Sequence, residues 1–386
     1  MAIETNDVKT ASTARVVRLT LLILVLAIST GVGLLHQFSD LKPVSVDALC
    51  PFGGLESLWS VIASGTLLAK IAWSSFILLG ATLVAALLFR RSFCGNVCPL
   101  GTLQELFARA GKKVLGKRYT VPSAADHWAR YLKYAVLAVF TVLAAVLGNL
   151  VIRPYDPWVA YHHLLSPELI DGFLIGLIVL LFTVVGSCFY DRVFCKYLCP
   201  MGAALTPFSK IGLFKIKRNA HTCINCRLCD QACPVNLPVS ILDQITDPEC
   251  LDCDQCVNAC PVKNTLVIES PGGKRIGSTF RVVATFAIFL LVVGSTSISG
   301  VFGWTMPPLK AGPKAAGKPT FNAAAIKGTD TWLAVIEASG LPKEAFVERF
   351  KLTEVDLGNP IKAKAHAPGS NFDTETVREW AKEKRP

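Results

Sequence analysis

The sequence predicts an all-α integral membrane protein with a small bacterial-type 2[4Fe–4S] ferredoxin domain inserted before its last span. Three observations support this prediction. Five segments are long and apolar, eight cysteines repeat a ferredoxin spacing, and another cysteine motif occurs twice after predicted spans. Of the 386 residues, 52% are hydrophobic and 17% are charged, whereas about 25% are charged in typical soluble domains. This balance excludes an ordinary soluble enzyme.

The five apolar segments contain no charged residue and predict transmembrane helices. Each approaches or exceeds the ~17–25 residues that an α-helix needs to cross a bilayer. A backbone inside the bilayer must satisfy its own hydrogen bonds, so helices are the expected structure. The segments are Leu19–Leu35, Ile71–Phe89, Tyr134–Ile152, Gly172–Tyr190 and Val282–Trp304.

The distribution of Lys and Arg predicts the orientation in the membrane. Three precede the first span, eight fall in residues 90–130 and ten in residues 192–275, with few in the connections on the opposite side. Short loops rich in Lys and Arg stay in the cytoplasm. The N-terminus and the ferredoxin segment are therefore predicted to be cytoplasmic in a multi-pass inner-membrane protein, and the C-terminal tail periplasmic. The net charge of +11 is then an orientation signal, and no nucleic-acid partner is expected.

The strongest motif lies between the fourth and fifth predicted spans. Two cysteine runs have the spacing C-x2-C-x2-C-x3-C, each followed by proline. In bacterial two-cluster ferredoxins the fourth cysteine of such a run binds the other cluster. Two [4Fe–4S] clusters are therefore predicted, and a zinc site is disfavoured because it would use CxxC pairs spaced well apart. The ligand sets are Cys223, Cys226, Cys229 and Cys260 for one cluster, and Cys233, Cys250, Cys253 and Cys256 for the other.

A second motif, Cx3CP, occurs in RSFCGNVCPLG and again 101 residues later in DRVFCKYLCPMG. Each copy follows a predicted span, which predicts that the core is a duplicated two-helix unit. If the two copies are pseudo-symmetric, four thiols converge, and such soft ligands could bind an additional iron–sulfur cluster or a metal. Redox-active thiols and a structural role in two tight turns are the alternatives. The four cysteines are Cys94, Cys98, Cys195 and Cys199.

Three histidines are predicted to lie near the outer face of the membrane. His36 ends the first span, and His162 and His163 lie in the connection between the third and fourth spans. A histidine can accept a proton as a quinol is oxidised, so these residues are candidates for a quinol site. Haem ligation by a histidine pair is one alternative, and interfacial residues without a redox role are the other.

The predicted domain organisation has four parts. They are a membrane core (1–218), a ferredoxin domain (219–270), the fifth transmembrane helix (280–304) and a linker with a small helical periplasmic module (305–386). The tail begins with a stretch rich in Pro, Gly and Lys, which is typical of a linker. Periodicity then predicts helices at Thr329–Ser339, Lys343–Phe350 and Thr374–Lys384.

Four spans, paired Cx3CP motifs and a two-cluster ferredoxin segment together resemble the NapH/MauN-type membrane ferredoxins over residues 16–270. The pattern is also similar to the C-terminal half of NosR-type proteins and to CcoG (FixG)-type proteins. The resemblance implies electron transfer between the quinone pool and a periplasmic or membrane redox partner, as in a quinol dehydrogenase subunit. The CcoG-type resemblance implies instead an assembly factor that reduces metal or thiols. A membrane redox sensor is a third interpretation.

Overall fold

The chain folds into two units, Met1–Pro308 and Leu309–Pro386. The computed structural model describes residues 5–38, 50–64, 73–147, 151–166, 168–303, 330–353, 356–359, 361, 364 and 373–384. The predicted linker after residue 305 falls outside these residues as far as residue 329.

Four helices of the first unit are long and apolar enough to cross a membrane. They are Thr13–Phe38, Ala124–Leu147, Gly172–Phe189 and Ser278–Ile298, and they overlap the first, third, fourth and fifth predicted spans. The second predicted span forms a shorter apolar helix of 17 residues, Trp73–Phe89. That length is at the lower limit of about 17 residues for a spanning helix. Residues 65–72, which precede this helix, lie outside the described part of the chain.

The membrane core repeats one order of elements. In both halves a short helix is followed by an apolar helix, and two further helices then carry a Cx3CP motif. Helix α1 (Thr5–Phe38) precedes the first half, and α6 (Ser123–Ala129) with α7 (Leu132–Leu147) precedes the second. The first half contains α2 (Pro51–Ser64), α3 (Trp73–Phe89), α4 (Ser92–Asn96) and α5 (Pro99–Leu115). The second contains α8 (Pro157–His162), α9 (Glu168–Phe189), α10 (Val193–Tyr197) and α11 (Pro200–Ala204).

The short helices α2 and α8 occupy the connections that sequence analysis treats as outer loops. Both begin with proline, which is favoured in the first turn because its missing N–H would be unpaired there. The Asp156 carboxylate caps α8 by accepting a hydrogen bond of 2.8 Å from the Trp158 backbone N–H. Helix α8 packs against α9 and α1, and α2 packs against α3 and α7. The segment that carries His162 is therefore part of the bundle interior.

The ferredoxin segment is a small α+β domain that follows α12 (Thr206–Ile211). Its antiparallel sheet has the order β1-β2-β3, and the buried Ile216 of β1 pairs with the buried Ile268 of β2. One short helix lies in each cysteine run, and the two helices pack together. The strands are β1 (Lys215–Arg218), β2 (Leu266–Glu269) and β3 (Arg275–Ile276), and the helices are α13 (Leu228–Ala232) and α14 (Gln255–Ala259).

Buried arginines attach the ferredoxin domain to the membrane core. The Arg90 guanidinium donates hydrogen bonds to the carbonyl oxygens of Ser209, Ile245 and Asp247, at 2.9, 2.8 and 2.5 Å. In α15 (Ser278–Ile298), Arg281 forms a buried ion pair of 3.0 Å with Asp252. Its Nε also donates a hydrogen bond of 3.0 Å to Asp254. These contacts hold the second cysteine run against the helices of the core.

The Arg281→Met variant is expected to lose this attachment. Removing one partner of a buried ion pair leaves uncompensated charge and typically costs about 3–5 kcal/mol. We therefore expect a clear fall in the thermal unfolding temperature of the full chain. The matched control is Arg275→Met, because the Arg275 side chain is 58% exposed and lies 3.7 Å from Glu269. An exposed ion pair contributes about 0–1 kcal/mol to stability. An equal fall in the unfolding temperature of both variants would therefore contradict the expectation.

The second unit contains three described helices around an aromatic core. Trp332, Phe346, Phe350 and Trp380 pack together there. The Thr331 hydroxyl caps the first helix by accepting from the Ala334 backbone N–H at 3.3 Å. Gly340 ends that helix at a φ of 65°, a left-handed conformation that glycine adopts without a steric penalty. The helices are α16 (Trp332–Ser339), α17 (Lys343–Phe350) and α18 (Thr374–Lys384).

Candidate electron-transfer site

The first predicted ligand set of the ferredoxin domain comes together in the structure. Cys223, Cys226, Cys229 and Cys260 line one small cavity of about 20 Å³. Burial raises the pKa of Cys229 to about 11, and the nearby Asp230 and Cys260 add to the rise. Burial also raises the pKa of Cys260, followed by the effects of Cys226 and Cys223. The last cysteine of the second run thus faces the first three cysteines of the first run.

The second set crosses over in the same way. Burial raises the pKa of Cys256 well above its ordinary value, and Cys233, Cys250 and Cys253 raise it further. All four of these cysteines are buried. Iron binds the thiolate form, and its own charge favours deprotonation of such thiols. Both sets therefore fit a [4Fe–4S] cluster bound by four cysteines.

Left-handed backbone positions shape the two cysteine loops. Asn225 and Arg227 of the first run have φ values of 55° and 57°, and Asp252 and Asp254 of the second have 53° and 57°. These residues occupy equivalent positions, immediately before and after the second cysteine of each run. Asn and Asp tolerate this conformation better than most residues. The turns bend each loop around its cluster position, a feature that the cysteine spacing alone did not reveal.

The Cx3CP motifs form two equivalent breaks between helices. Helix α4 ends at Asn96 and α5 begins at Pro99, so Cys98 is the N-cap of α5. Cys199 has the same place before Pro200 in α11. The two cysteines of a motif therefore do not share one helical face, as a continuous helix would have allowed, because the residue before proline avoids the helical conformation. Each motif is a sharp turn that carries one thiol on each side of the break.

The four Cx3CP thiols converge across the repeat. Burial raises the pKa of Cys98, and Cys195 and Cys94 add to the rise. Burial likewise raises the pKa of Cys199, with further contributions from Cys195, Cys94 and Cys98. No three Cys, His, Asp or Glu side chains among the described residues lie close enough together for a single metal ion. Four cysteine thiols that converge in this way could bind an iron–sulfur cluster at its corners.

Two equivalent arginines frame the four thiols. The Arg192 guanidinium donates to the Cys94 carbonyl oxygen at 3.0 Å and pairs with Glu105 at 2.9 Å. An added Cβ at Gly101 would overlap the Arg192 side chain, and one at Gly202 would lie 2.6 Å from Arg91. A larger residue in place of the glycine that follows each Cx3CP motif would therefore displace the arginine of the other repeat. The positive charge on both sides favours the charged form of the thiols.

The Cx3CP site contacts the second ferredoxin set directly. An added Cβ at Gly95, inside the first motif, would overlap the Leu251 carbonyl oxygen and would lie 3.1 Å from the Cys253 Cβ. The Asn96 side chain donates to the Asp252 carbonyl oxygen at 3.2 Å. Arg192 lies close enough to Cys195, Cys253 and Cys98 for each of these thiols to raise its pKa. One guanidinium therefore lies between the two cysteine sites.

The three predicted histidines have different surroundings. The His162 ring lies against Gly33 of α1, and its Nε2 has no hydrogen-bond partner in the described part of the chain. Burial lowers the pKa of His162 to about 4, with a further contribution from His163. His163 instead places its Nδ1 2.8 Å from the Val159 carbonyl oxygen of its own helix. His36 is half-buried on α1, three residues beyond Gly33.

Aromatic residues of α8 connect His162 to the Cx3CP cysteines. The His162 and Trp158 ring centroids are 4.5 Å apart, in an edge-to-face arrangement. Tyr161 stacks on Trp158 at 5.0 Å. Trp158 belongs to a packed cluster that also includes Cys98 and Cys199. Among the three predicted histidines, His162 therefore has a described contact with this cluster, through Trp158.

Glu56 is a buried titratable residue that sequence analysis missed. It lies in α2, and neither of its carboxylate oxygens has a hydrogen-bond partner among the described residues. Burial and then the nearby Asp156 raise its pKa to about 8. Glu56 is five residues after Pro51, as His162 is five residues after Pro157. Aligning the two short helices at their prolines would have revealed this correspondence.

Comparisons with known proteins match both cysteine-containing regions of the chain. A family described as a 4Fe-4S binding domain matches residues 71–118 and 173–219, which contain the two Cx3CP motifs. A 4Fe-4S dicluster domain matches residues 215–267. YccM of Escherichia coli, a candidate electron transport protein by its name, is 32% identical over 279 residues, covering 69% of this chain and 76% of YccM. The chain belongs to the family of membrane ferredoxin-type proteins.

Other members of the membrane ferredoxin-type family match a smaller part of the chain. The ferredoxin-type protein NapH of Escherichia coli is 28% identical over 209 residues, covering 53% of this chain and 67% of NapH. The regulatory protein NosR of Pseudomonas aeruginosa is 32% identical over 184 residues, covering 46% of this chain but 24% of NosR. No solved structure matches the chain. The family resemblance inferred from the cysteine motifs is therefore confirmed.

Proposed function

We propose that this protein transfers electrons between a quinol site in its membrane core and a redox partner through three iron–sulfur clusters. The observation that carries the proposal is one continuous series of contacts. It runs from His162 through Trp158 to the Cx3CP cysteines, and from there past Arg192 to Cys253 of the ferredoxin domain. Relatives named as ferredoxin-type proteins support an electron-transfer role.

The chain's own cysteines would hold the three clusters. The crossed sets of the ferredoxin domain would bind two [4Fe–4S] clusters, and Cys94, Cys98, Cys195 and Cys199 would bind a third. When bound, such clusters supply one-electron carriers. Arg91 and Arg192 stabilise the negative charge of the third site, and Gly95 allows that site to lie close to Cys253. These residues would hold the Cx3CP cysteines next to the second ferredoxin set.

His162 is the proposed proton acceptor at the quinol end. Oxidation of a quinol releases two electrons and two protons. A pKa of about 4 leaves the buried His162 ring neutral at physiological pH, and its Nε2 has no hydrogen-bond partner in the described part of the chain. The neutral ring can therefore accept one of the two protons from a quinol hydroxyl, and the second proton is released to solvent. His36, half-buried on the next turn of α1, is placed near the same end of the helix.

The first ferredoxin set is the proposed exchange point with the partner. Cys226 is exposed, and the neighbouring Ile224 side chain is 64% exposed. A redox protein can therefore approach this set closely. The Lys and Arg distribution supports a cytoplasmic ferredoxin domain in the inner membrane, with the C-terminal unit in the periplasm. Five spans are proposed, with Trp73–Phe89 as the shortest.

Reduction by quinol in proteoliposomes tests the proposed function. The intact protein is reconstituted without oxygen, a reduced quinol is added, and cluster reduction is followed by absorbance and electron paramagnetic resonance. We expect quinol to reduce at least part of the cluster signal that dithionite reduces. Clusters that remain oxidised with excess quinol, over a range of ambient potentials, would contradict the proposal.

The Glu56→Gln variant is expected to differ from the native protein in the pH dependence of quinol-driven cluster reduction. A carboxyl group whose pKa is about 8 is neutral below that pH and ionises above it. Glutamine mimics the neutral form, so the variant and the native protein should have similar quinol-driven reduction rates at pH 6–7. Their rates should diverge as the pH rises through about 8. A constant ratio of the two rates from pH 6 to pH 9 would show that ionisation of Glu56 has no role.

A further inference from the structure

A cationic cavity lies between the membrane core and the ferredoxin domain. Its volume is about 350 Å³, and α1, α5 and the end of α9 line it together with α13, α14 and Cys253. This cavity is separate from the small space between the cysteines of the first ferredoxin set. Of its lining residues, Arg192 and Cys253 also belong to the series of contacts from His162 to the ferredoxin domain.

The cavity has a large excess of positive charge. Seven Lys and Arg side chains line it, against two carboxylates, Glu105 and Asp191. Glu105 neutralises only part of the charge of Arg18, Arg109 and Arg192, with which it pairs at 2.7, 2.7 and 2.9 Å. Arg118 pairs with Asp191 at 2.6 Å. The remaining three form no close ion pair in the described part of the chain. Arg15 donates to the Asn258 carbonyl oxygen at 3.5 Å, Lys117 lies 4.8 Å from the Tyr119 ring centroid, and Lys112 acts on Asp191 only at longer range.

The position of the cavity corresponds to the edge of the bilayer. Arg15 lies near the start of the candidate span Thr13–Phe38, and Phe189 ends the span Gly172–Phe189. Phospholipid phosphates lie where spans leave the hydrocarbon layer, and basic pockets between transmembrane helices bind anionic headgroups. Phe189, Ala108 and Pro234 add an apolar part to the lining. A ligand that carries a charged phosphate next to apolar groups would therefore complement the lining of this cavity.

We propose that this cavity binds a phosphate-bearing anion, either the headgroup of an anionic phospholipid or a free phosphate group. The shared recognition chemistry is a negatively charged phosphate placed among Arg15, Lys112 and Lys117, the lining cations that form no close ion pair in the described part of the chain. All seven lining cations belong to the membrane core, so the bound anion offsets the repulsion among them and stabilises the folded chain. An anion that binds the folded chain and not the unfolded chain raises the unfolding temperature.

Binding measurements on the delipidated full chain test this proposal. The probes are phosphatidylglycerol, zwitterionic phosphatidylcholine and inorganic phosphate, and the readouts are native mass spectrometry and the unfolding temperature. The test variant is Lys112→Gln/Lys117→Gln. Each cation near a lipid surface contributes about 1 kcal/mol, so affinity should fall about 10- to 30-fold. The matched control is Lys113→Gln. Lys113 is exposed on α5 next to Lys112 but does not line the cavity.

The outcomes separate the two sources of phosphate. One phosphatidylglycerol molecule per chain, displaced by the double substitution but not by Lys113→Gln, identifies a lipid site. Stabilisation by inorganic phosphate without retention of phosphatidylglycerol, with the same response to the variants, identifies a free phosphate site. Equal binding of phosphatidylglycerol and phosphatidylcholine, with no effect of inorganic phosphate on the unfolding temperature, overturns the proposal. An equal loss of affinity in the double variant and in Lys113→Gln also overturns it.

Discussion

The Cys98→Ser variant is expected to lose quinol-driven reduction of its ferredoxin clusters. Cys98 contributes one of the four converging Cx3CP thiols and packs in the same cluster as Trp158. Serine lacks the soft sulfur ligand that an iron–sulfur site requires. The proposed third cluster would then be lost, and with it the link between His162 and Cys253. Dithionite should still reduce the ferredoxin clusters of the variant.

The matched control is Cys188→Ser. Cys188 is half-buried near the end of α9, outside both Cx3CP motifs and both ferredoxin sets. The control should keep the native iron content and the native rate of quinol-driven reduction. If Cys98→Ser also keeps both, the Cx3CP site is not part of the electron path. Retention of about eight irons by Cys98→Ser, as two [4Fe–4S] clusters require, would show that the ferredoxin domain remains folded.

The His162→Gln variant is expected to reduce its clusters with quinol about 10²- to 10⁴-fold more slowly, the usual contribution of a general base. Glutamine fills a similar space but cannot accept a proton at the position of Nε2. Reduction by dithionite and the iron content should be unchanged, because His162 contacts Trp158 and Gly33 and is not a proposed ligand. Stopped-flow absorbance with quinol in excess measures the rate.

His163→Gln is the matched control for this substitution. The His163 ring is directed to the Val159 carbonyl oxygen of its own helix and to Phe173. Its replacement should therefore leave the reduction rate within about tenfold of the native value. That change is smaller than the ~10²- to 10⁴-fold contribution of a general base. If the two substitutions slow reduction equally, the assignment of the proton acceptor to His162 alone is wrong.

The cysteine sites were the part of the molecule that the sequence predicted best. In the ferredoxin domain, ligand identity follows from local spacing, so Cys260 could be assigned to the first set without knowledge of the fold. The convergence of Cys94 with Cys195 was conditional on pseudo-symmetry of the repeat. Only the structure shows why a glycine follows each motif, since the reason is an arginine 91 or 111 residues away in sequence.

The surroundings of the proposed quinol site could not be predicted with the same success. The connections that contain Glu56 and His162 carry few Lys and Arg, which predicted that they are outer loops. Their burial results from packing of α2 and α8 against helices distant in sequence. A single glycine, Gly33, makes the room for the His162 ring. Tertiary packing of this kind leaves no periodic signal in a segment as short as Pro157–His162.

The central claim is that the Cx3CP cysteines hold a third cluster between the quinol site and the ferredoxin domain. Iron counting combined with a potentiometric titration of the native protein, purified without oxygen, tests it most directly. Three [4Fe–4S] clusters predict about twelve irons per chain and three one-electron transitions. A fully loaded ferredoxin domain with about eight irons in total and only two transitions, in protein with both Cx3CP motifs intact, would contradict the claim.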